Sequence, residues 1–193
     1  LAHNGGMRLF KSADGIKWEQ VGEQAVITEG AFDSANIAFW DKALGKYRTY
    51  FRVFTAGTTT AKVWKPAGIR AIRTATSDDL VNWSGFENLT YGDSPPQQMY
   101  TNNVVSYSRA PHILMGFPMR YVERGWSPSM KALPDLENRE LRSQAHLRYG
   151  TSLTETQFMT SRDGVAFTRW DEAFLRPGVE RKDSWYYGHN NVA

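Results

Sequence analysis

Acid–base chemistry in this chain falls to its carboxylates, because its 193 residues contain no Cys and only four His. Without Cys there is no thiolate nucleophile, disulfide framework, iron–sulfur cluster or thiolate zinc site. His3, His112, His146 and His189 show no H-x-x-x-H spacing, so no metal site is expected. No cofactor is expected either, since the phosphate-cradling and nucleophile-elbow motifs G-x-x-x-x-G-K-[ST], G-x-G-x-x-G and G-x-S-x-G are missing. Three Asp residues recur in one pattern, S-x-D-[GL]-x-x-[WF], at Ser12–Trp18, Ser77–Trp83 and Ser161–Phe167. There Asp14, Asp79 and Asp163 read as turn caps that accept backbone N–H bonds. Gly15 and Gly164 supply positive φ, and the closing aromatic packs between sheets. These three are excluded as candidate acids.

Asp33 behaves differently. It opens Asp33-Ser-Ala-Asn36-Ile, and the echoes of that segment begin with Tyr100 and Gly188 instead. An acid kept in one repeat is what a site residue would show; a cap of its own turn is the alternative. Glu123, in Arg120-Tyr-Val-Glu-Arg124, becomes a general acid if the segment after it buries the carboxyl. Surface pairing with Arg120 or Arg124 is the other reading. Asp93 and Asp183 precede two further strands.

The elements that must position these residues repeat in phase. The Asn36, Asn103 and Asn191 echoes follow their Ser motifs by 24, 26 and 30 residues. The unit of roughly 65 to 85 residues suits a four-stranded propeller blade. Strands are expected at Ile37–Trp40, Lys46–Phe54 and Ile69–Thr76, then at Asn103–Ser108, Ile113–Tyr121 and Glu155–Thr160. The fold expected is all-β, with residues 1–30 ending one blade, 31–97 and 98–180 forming two more, and 181–193 starting another. An insertion at 123–150, carrying Leu136, Leu141 and Leu147, reads as a short amphipathic helix or ordered loop, either a lid or a decoration. Such a set does not close a ring. Either a longer protein or a homo-oligomer is expected to cover the open edges. The net charge of +3 is interspersed apart from a mildly basic stretch at 139–148, which excludes nucleic acid as the expected partner. No run approaches the ~20 apolar residues of a membrane helix.

The S-x-D-G-x-x-W motif, together with Phe32-Asp33-Ser-Ala-Asn-Ile-Ala-Phe-Trp40-Asp41 and Gly45-Lys46-Tyr47-Arg-Thr-Tyr50, resembles the blades of five-bladed β-propeller glycoside hydrolases such as families 32 and 43. The sialidase Asp-box is similar, with one more residue between Asp and Gly. The resemblance implies about half of a five-bladed propeller, an oligo- or polysaccharide substrate, metal-independent carboxylate acid–base hydrolysis, and a secreted or periplasmic location. It implies Asp33 as the first catalytic acid, with Glu123 and Asp183 as further candidates. Trp40, Tyr100 and Trp185 would stack on sugar rings, while Arg52, Arg120 and His189 would meet hydroxyls. Carboxyl groups ~5 Å apart would retain configuration and ~6.5 to 9.5 Å apart would invert it. The Asn-Asp-Pro-Asn-Gly, Arg-Asp-Pro and Glu-Cys signatures of family 32 are absent, so its triad does not transfer as a set. Two alternatives stay open. One is a non-catalytic carbohydrate-binding or scaffold propeller. The other is a sialidase-like hydrolase in which Arg52, Arg70 and Arg120 converge on a substrate carboxylate.

Overall fold

The computed structural model describes residues 5–178. A short hairpin of β1 (Phe10–Lys11) and β2 (Glu19–Gln20) precedes a four-stranded antiparallel sheet. That sheet has the order β3 (Ile37–Asp41), β4 (Lys46–Thr59), β5 (Trp64–Ser77) and β6 (Trp83–Asn88). Next come β7 (Gln98–Met99), β8 (Val104–Tyr107), β9 (Ala110–Gly116) and β10 (Met119–Val122), followed by helices α1 (Pro128–Lys131), α2 (Leu136–Ala145) and α3 (Arg148–Thr151). The last described strands are β11 (Leu153–Thr156), β12 (Met159–Ser161) and β13 (Phe167–Arg169). A second four-stranded sheet has the order β13-β12-β9-β8, and a smaller one the order β11-β10-β7. The fold is all-β and propeller-like, built of four-stranded antiparallel sheets as the repeat requires.

β4 explains why the two cores stand where they do. Successive strand side chains point to opposite faces, and on β4 both faces are covered from Arg48 to Val53. Phe51 and Val53 pack with Ile27 and Phe32 on one side. Tyr50 faces the other way with Ile72 of β5, into a cluster with Val104, Leu114, Met159 and Phe167 of the second sheet. The Tyr50 hydroxyl donates to the Gly164 carbonyl at 3.0 Å, and its ring meets Phe167 edge-on at 6.1 Å. Arg48, on the same face as Tyr50, is buried and paired with Asp41 at 2.8 Å.

Both units extend their central hairpin beyond the sheet. In the first, β4 and β5 stay paired to Thr59 and Trp64 through a bulge between Phe54 and Ala56. Gly68 sits opposite this bulge with φ +72°, where a Cβ would collide with Thr55 Oγ1, the acceptor of the Ile69 N–H. In the second unit, the strands expected at Ile113–Tyr121 and Glu155–Thr160 are each split in two. Pro118 has no N–H for the ladder and restricts Phe117 before it. The Gln157 N–H instead donates to the Pro118 carbonyl at 2.9 Å. Register carries across the break, with Met159 opposite Gly116 and Thr156 opposite Met119. The helical insertion therefore sits at the tip of a long hairpin. Its leucines do not form one inward face as an amphipathic reading would have them: Leu136 is half-buried, Leu141 and Leu147 are exposed, and Arg139 is the buried side chain of α2. Arg139 donates to the Pro134 and Leu133 carbonyls at 2.9 and 2.7 Å and lies over the Trp126 ring. A guanidinium fork satisfies loop carbonyls that a leucine would leave unpaired.

The three Ser-Asp motifs form the same turn. Asp14 Oδ1 accepts the N–H groups of Ile16 and Lys17, Asp79 Oδ1 those of Val81 and Asn82, and Asp163 Oδ1 those of Val165 and Ala166, all at 2.7–2.9 Å. The residue after each Asp has positive φ: Gly15 +73°, Leu80 +65° and Gly164 +83°. The expected packing of the aromatic holds unevenly. Phe167 is buried and Trp83 half-buried, but Trp18 is exposed, because no second sheet covers its hairpin among the described residues.

Substitution and pH both probe these turns. At Gly15 an added Cβ meets nothing, whereas at Gly164 it would lie 2.8 Å from Tyr50 Oη and inside the Arg48 guanidinium. Gly15→Ala should cost about 1 kcal/mol for the backbone conformation alone. Gly164→Ala should cost about 1–3 kcal/mol more through overpacking, read from urea midpoints of the two variants. The same backbone donors, Lys17 foremost at Asp14, Asn82 at Asp79 and Val165 at Asp163, hold all three carboxyls below their ordinary value of 3.8. Folded values below unfolded ones mean the stabilisation is complete above that value and drains away as pH falls through the folded values. Urea midpoints taken from about pH 5 down to about pH 2 should fall on the acid side of 3.8; a flat profile there would sink the assignment.

Candidate functional site

The loop before β3 is fixed from two sides, and this places Asp33. The Ala31 N–H donates to the Arg52 carbonyl on β4 at 2.7 Å. Ser34 Oγ donates to the Tyr100 carbonyl at 2.7 Å, and Asn102 Nδ2 to the Ala35 carbonyl at 2.9 Å. Arg52 lies two residues beyond Tyr50 on the same face of β4. Its Nη2 pairs with Asp33 Oδ1; the arginine side chain is buried and the aspartate one partly open. Both line a cavity of about 380 Å³ between the two extended hairpins. Phe54, Trp64, Pro66, Ala67, Gly68 and Arg70 come from the bulged β4–β5 arm, Tyr121 from β10, Tyr100 from the segment before β8, and Arg148 from α3. A bulge re-aims the strand that carries it, and here it turns the arm into one wall of the cavity.

Stacked charge and aromatic rings dominate the electrostatics. Arg52 lies 5.1 Å and Arg70 5.7 Å from the Tyr100 ring centroid, both are 5.6 Å from Phe54, and Arg70 is 4.7 Å from Tyr121. Ring quadrupoles attract these cations, so Tyr100 and Phe54 bridge two guanidiniums that repel each other. Burial, and after it the charge of Arg52, hold Arg70 below its ordinary value, although an arginine remains a cation at neutral pH. Arg70 Nη1 donates to Gln98 Oε1, and Gln98 Nε2 donates to Glu123 Oε1 at 3.3 Å. That chain of contacts leads to a second, more open cavity of about 440 Å³ lined by Gln98, Arg120, Glu123 and Glu155, with Tyr121 shared between the two.

The residues singled out from sequence divide accordingly. Asp33, Arg52 and Tyr100 meet in the first cavity, and Arg70 joins them. Glu123 and Arg120 lie in the second. Glu123 is exposed, so the insertion does not bury it, and it accepts a hydrogen bond from Gln98. Arg120 pairs with Glu155 and donates to the Asp171 carbonyl at 2.9 Å; Arg52, Arg70 and Arg120 therefore do not converge. Trp40 stands half-exposed on β3, edge-on to Tyr47 at 5.0 Å, and does not line either cavity. Asp93 is exposed in a turn outside both. Asp183, Trp185 and His189 lie outside the described residues. Arg148 and Glu155 are the residues that sequence reasoning missed. Arg148 ends the mildly basic stretch 139–148, the one signal that pointed toward it. Glu155 is a buried carboxylate between Arg120 and Arg176, the latter at 3.6 Å, and its partners are 35 and 21 residues away.

Among the described residues no cluster of three or more His, Asp or Glu is placed to hold a metal ion, and no helix is long and apolar enough to cross a membrane. No family model matches the chain, and no curated protein matches it. Among solved structures it is similar to an N-acetylgalactosamine deacetylase from F. plautii, determined in complex with blood group B trisaccharide. The TM-score is 0.54 at 11% identity, over 95% of this chain and 45% of that one. The chain thus spans less than half the length of that protein, and a likeness at this identity shows shared fold alone.

Tyr100 is one of the two rings that both guanidiniums share. Tyr100→Leu should destabilise by about 2 kcal/mol, and Tyr100→Phe, which keeps the ring, by less than half of that. Urea unfolding of the pair distinguishes the ring's role from that of its hydroxyl.

Proposed function

We propose that the chain is part of a carbohydrate-processing protein of five-bladed propeller type, divided into blades as the repeat suggests, and that it holds a saccharide in the cavity at Asp33. The observation that carries this reading is one cavity in which a partly open carboxylate, anchored by a buried arginine, stands among aromatic rings. Aromatic faces take the apolar face of a sugar, and fixed polar groups take its hydroxyls. The fold shared with a carbohydrate-active enzyme supports the same class of ligand.

Glycoside hydrolysis is the reaction this arrangement suits best. Asp33 would act as the carboxylate that stabilises or attacks the anomeric centre, since Arg52 engages Oδ1 and orients the group. A second carboxyl must supply the proton. Glu123, joined to the cavity wall through Gln98 and Arg70, is the nearest candidate by connection, and Asp183 lies outside the described residues. A second reading is favoured by a specific observation: among the described lining residues, Asp33 is the sole carboxylate of the cavity. On that reading the chain binds saccharide without cleaving it.

Asp33→Asn separates the two. Asn keeps an acceptor for Arg52 but leaves its buried charge uncompensated, so the fold should survive with a loss of about 1.5–3 kcal/mol. A hydrolase should lose at least ~100-fold in glycoside cleavage, the usual scale for an acid–base group, with saccharide affinity retained. A binding module should show no cleavage in either form and a change in affinity alone. If neither form binds or cleaves any glycan on an array, the saccharide reading falls.

A further inference from the structure

Among the described residues, four aromatic side chains line the cavity at Asp33, and they differ in what they present to a ligand. Tyr121 is buried, and Phe54 and Tyr100 are half-buried. Each of these three has a guanidinium against its ring: Arg52 and Arg70 at Phe54 and at Tyr100, Arg70 at Tyr121. A sugar stacking on such a ring competes with the cation already attracted to it. Trp64 differs in exposure, with 38% of its surface open. It begins β5 opposite Thr59, at the end of the arm beyond the bulge between Phe54 and Ala56. Its ring meets Phe54 edge-on at 6.2 Å, so the indole stands upright against a ring that two arginines hold. Pro66, Ala67 and Gly68 continue the same wall with no polar side chain. Close approach of the two strands sets the height of this arm. At Gly57, φ +79°, a Cβ would lie 2.2 Å from the Lys65 carbonyl oxygen and 2.7 Å from the Ala67 nitrogen, a spacing that glycine alone permits.

We propose that Trp64 is the ring on which the cavity stacks its saccharide, and that Tyr100, expected from sequence to stack, instead scaffolds the two arginines. The proposal rests on reading this cavity as a saccharide site. It assigns the ligand a class, a pyranoside with one face of axial C–H groups laid on the indole and hydroxyls donated to Asp33, whose side chain is 39% exposed. β-Glucosides and β-galactosides have such a face. An α-mannoside does not, since its axial substituents at C1 and C2 interrupt one face each. The bulge and the glycines of the arm thereby acquire a role: they carry an exposed indole to the cavity that holds Asp33.

The decisive experiment follows the indole N–H signals of the seven Trp residues by NMR during titration with methyl β-glucopyranoside, methyl β-galactopyranoside and methyl α-mannopyranoside. The Trp64 signal is the one missing from Trp64→Phe. It should move most when glucoside or galactoside is added, and one of these should bind tighter than the α-mannoside. Trp64→Ala should weaken the tighter of the two by roughly 10- to 30-fold, as expected for uncovering about 60–80 Å² of apolar surface. Trp64→Phe, which keeps a ring, should retain most of the affinity. The urea midpoint of Trp64→Ala should fall less than that of Tyr100→Leu, which separates the stacking ring from the scaffolding one. Should Trp64→Ala lose its fold by circular dichroism, the indole shifts and Trp64→Phe carry the test. Unchanged affinity in Trp64→Ala, a Trp64 signal that stays fixed while sugar binds, or an α-mannoside bound as tightly as the other two overturns the proposal and leaves the saccharide reading standing. If none of the three glycosides binds, the saccharide reading itself has failed, and the proposal with it.

Discussion

The structure turns on the burial of both faces of β4. A one-residue slip sends every side chain of a strand to the opposite face, and here it would exchange Phe51 and Val53 with Tyr50 and Arg52 and disrupt two cores together. Tyr50 bears most of this constraint. It is fully buried, its hydroxyl reaches the Gly164 carbonyl of the second unit, and its own carbonyl accepts from Asn102 Nδ2 at 3.3 Å. Arg48 and Arg52 flank it on the same face, each with one carboxylate partner. Removing a guanidinium from water costs several kcal/mol, and such a cost is offset only where pairing and further contacts are good. Arg48 has Asp41 beside it in the same hairpin. Arg52 depends on Asp33, on Tyr100 and on Phe54, which come from separate segments. The alternate positions of a single strand therefore run from a structural ion pair, through the core, to the cavity.

The two hairpin arms show how two similar sheets come to enclose a cavity. Both units share a long central hairpin, and the difference lies in how each departs from regular pairing. The first departs through a bulge with glycines at Gly57 and Gly68, the second through the interruption at Pro118 and Gln157. Each irregularity costs ladder hydrogen bonds. In return the arms diverge from their sheets and enclose the space that Arg70, Tyr121 and Arg148 line. Irregularities of this sort collect beside sites because regular sheets leave no concave surface.

Asp33 and Glu123 illustrate why a carboxylate's chemistry depends on its neighbours. Asp33 is held by a buried cation amid aromatic rings, whereas Glu123 stands in solvent with an amide as its partner. The connection from Arg70 through Gln98 to Glu123 joins their cavities across the Tyr121 ring.

How much of this was legible in the sequence depends on the range of the interactions. The S-x-D-[GL]-x-x-[WF] turns are specified within seven residues: the Ser hydroxyl, the Asp carboxylate and the backbone N–H groups that they bind are all local, so the pattern alone identified three turns and removed three Asp from the catalytic candidates. The all-β class and the four-stranded sheets were legible for the same reason, from strand alternation between turn signals. Asp33, Arg52 and Tyr100 could be named but not joined, because their meeting depends on long-range bonds such as Ser34 to the Tyr100 carbonyl. The split strands, the outward Leu141 of α2, the separation of Arg120 from Arg52, and the arrival of Arg148 at the cavity were decided by tertiary structure alone. Each follows from register, bulge position and the docking of segments tens of residues apart, where the favourable energy lies in contacts that no local window of sequence contains.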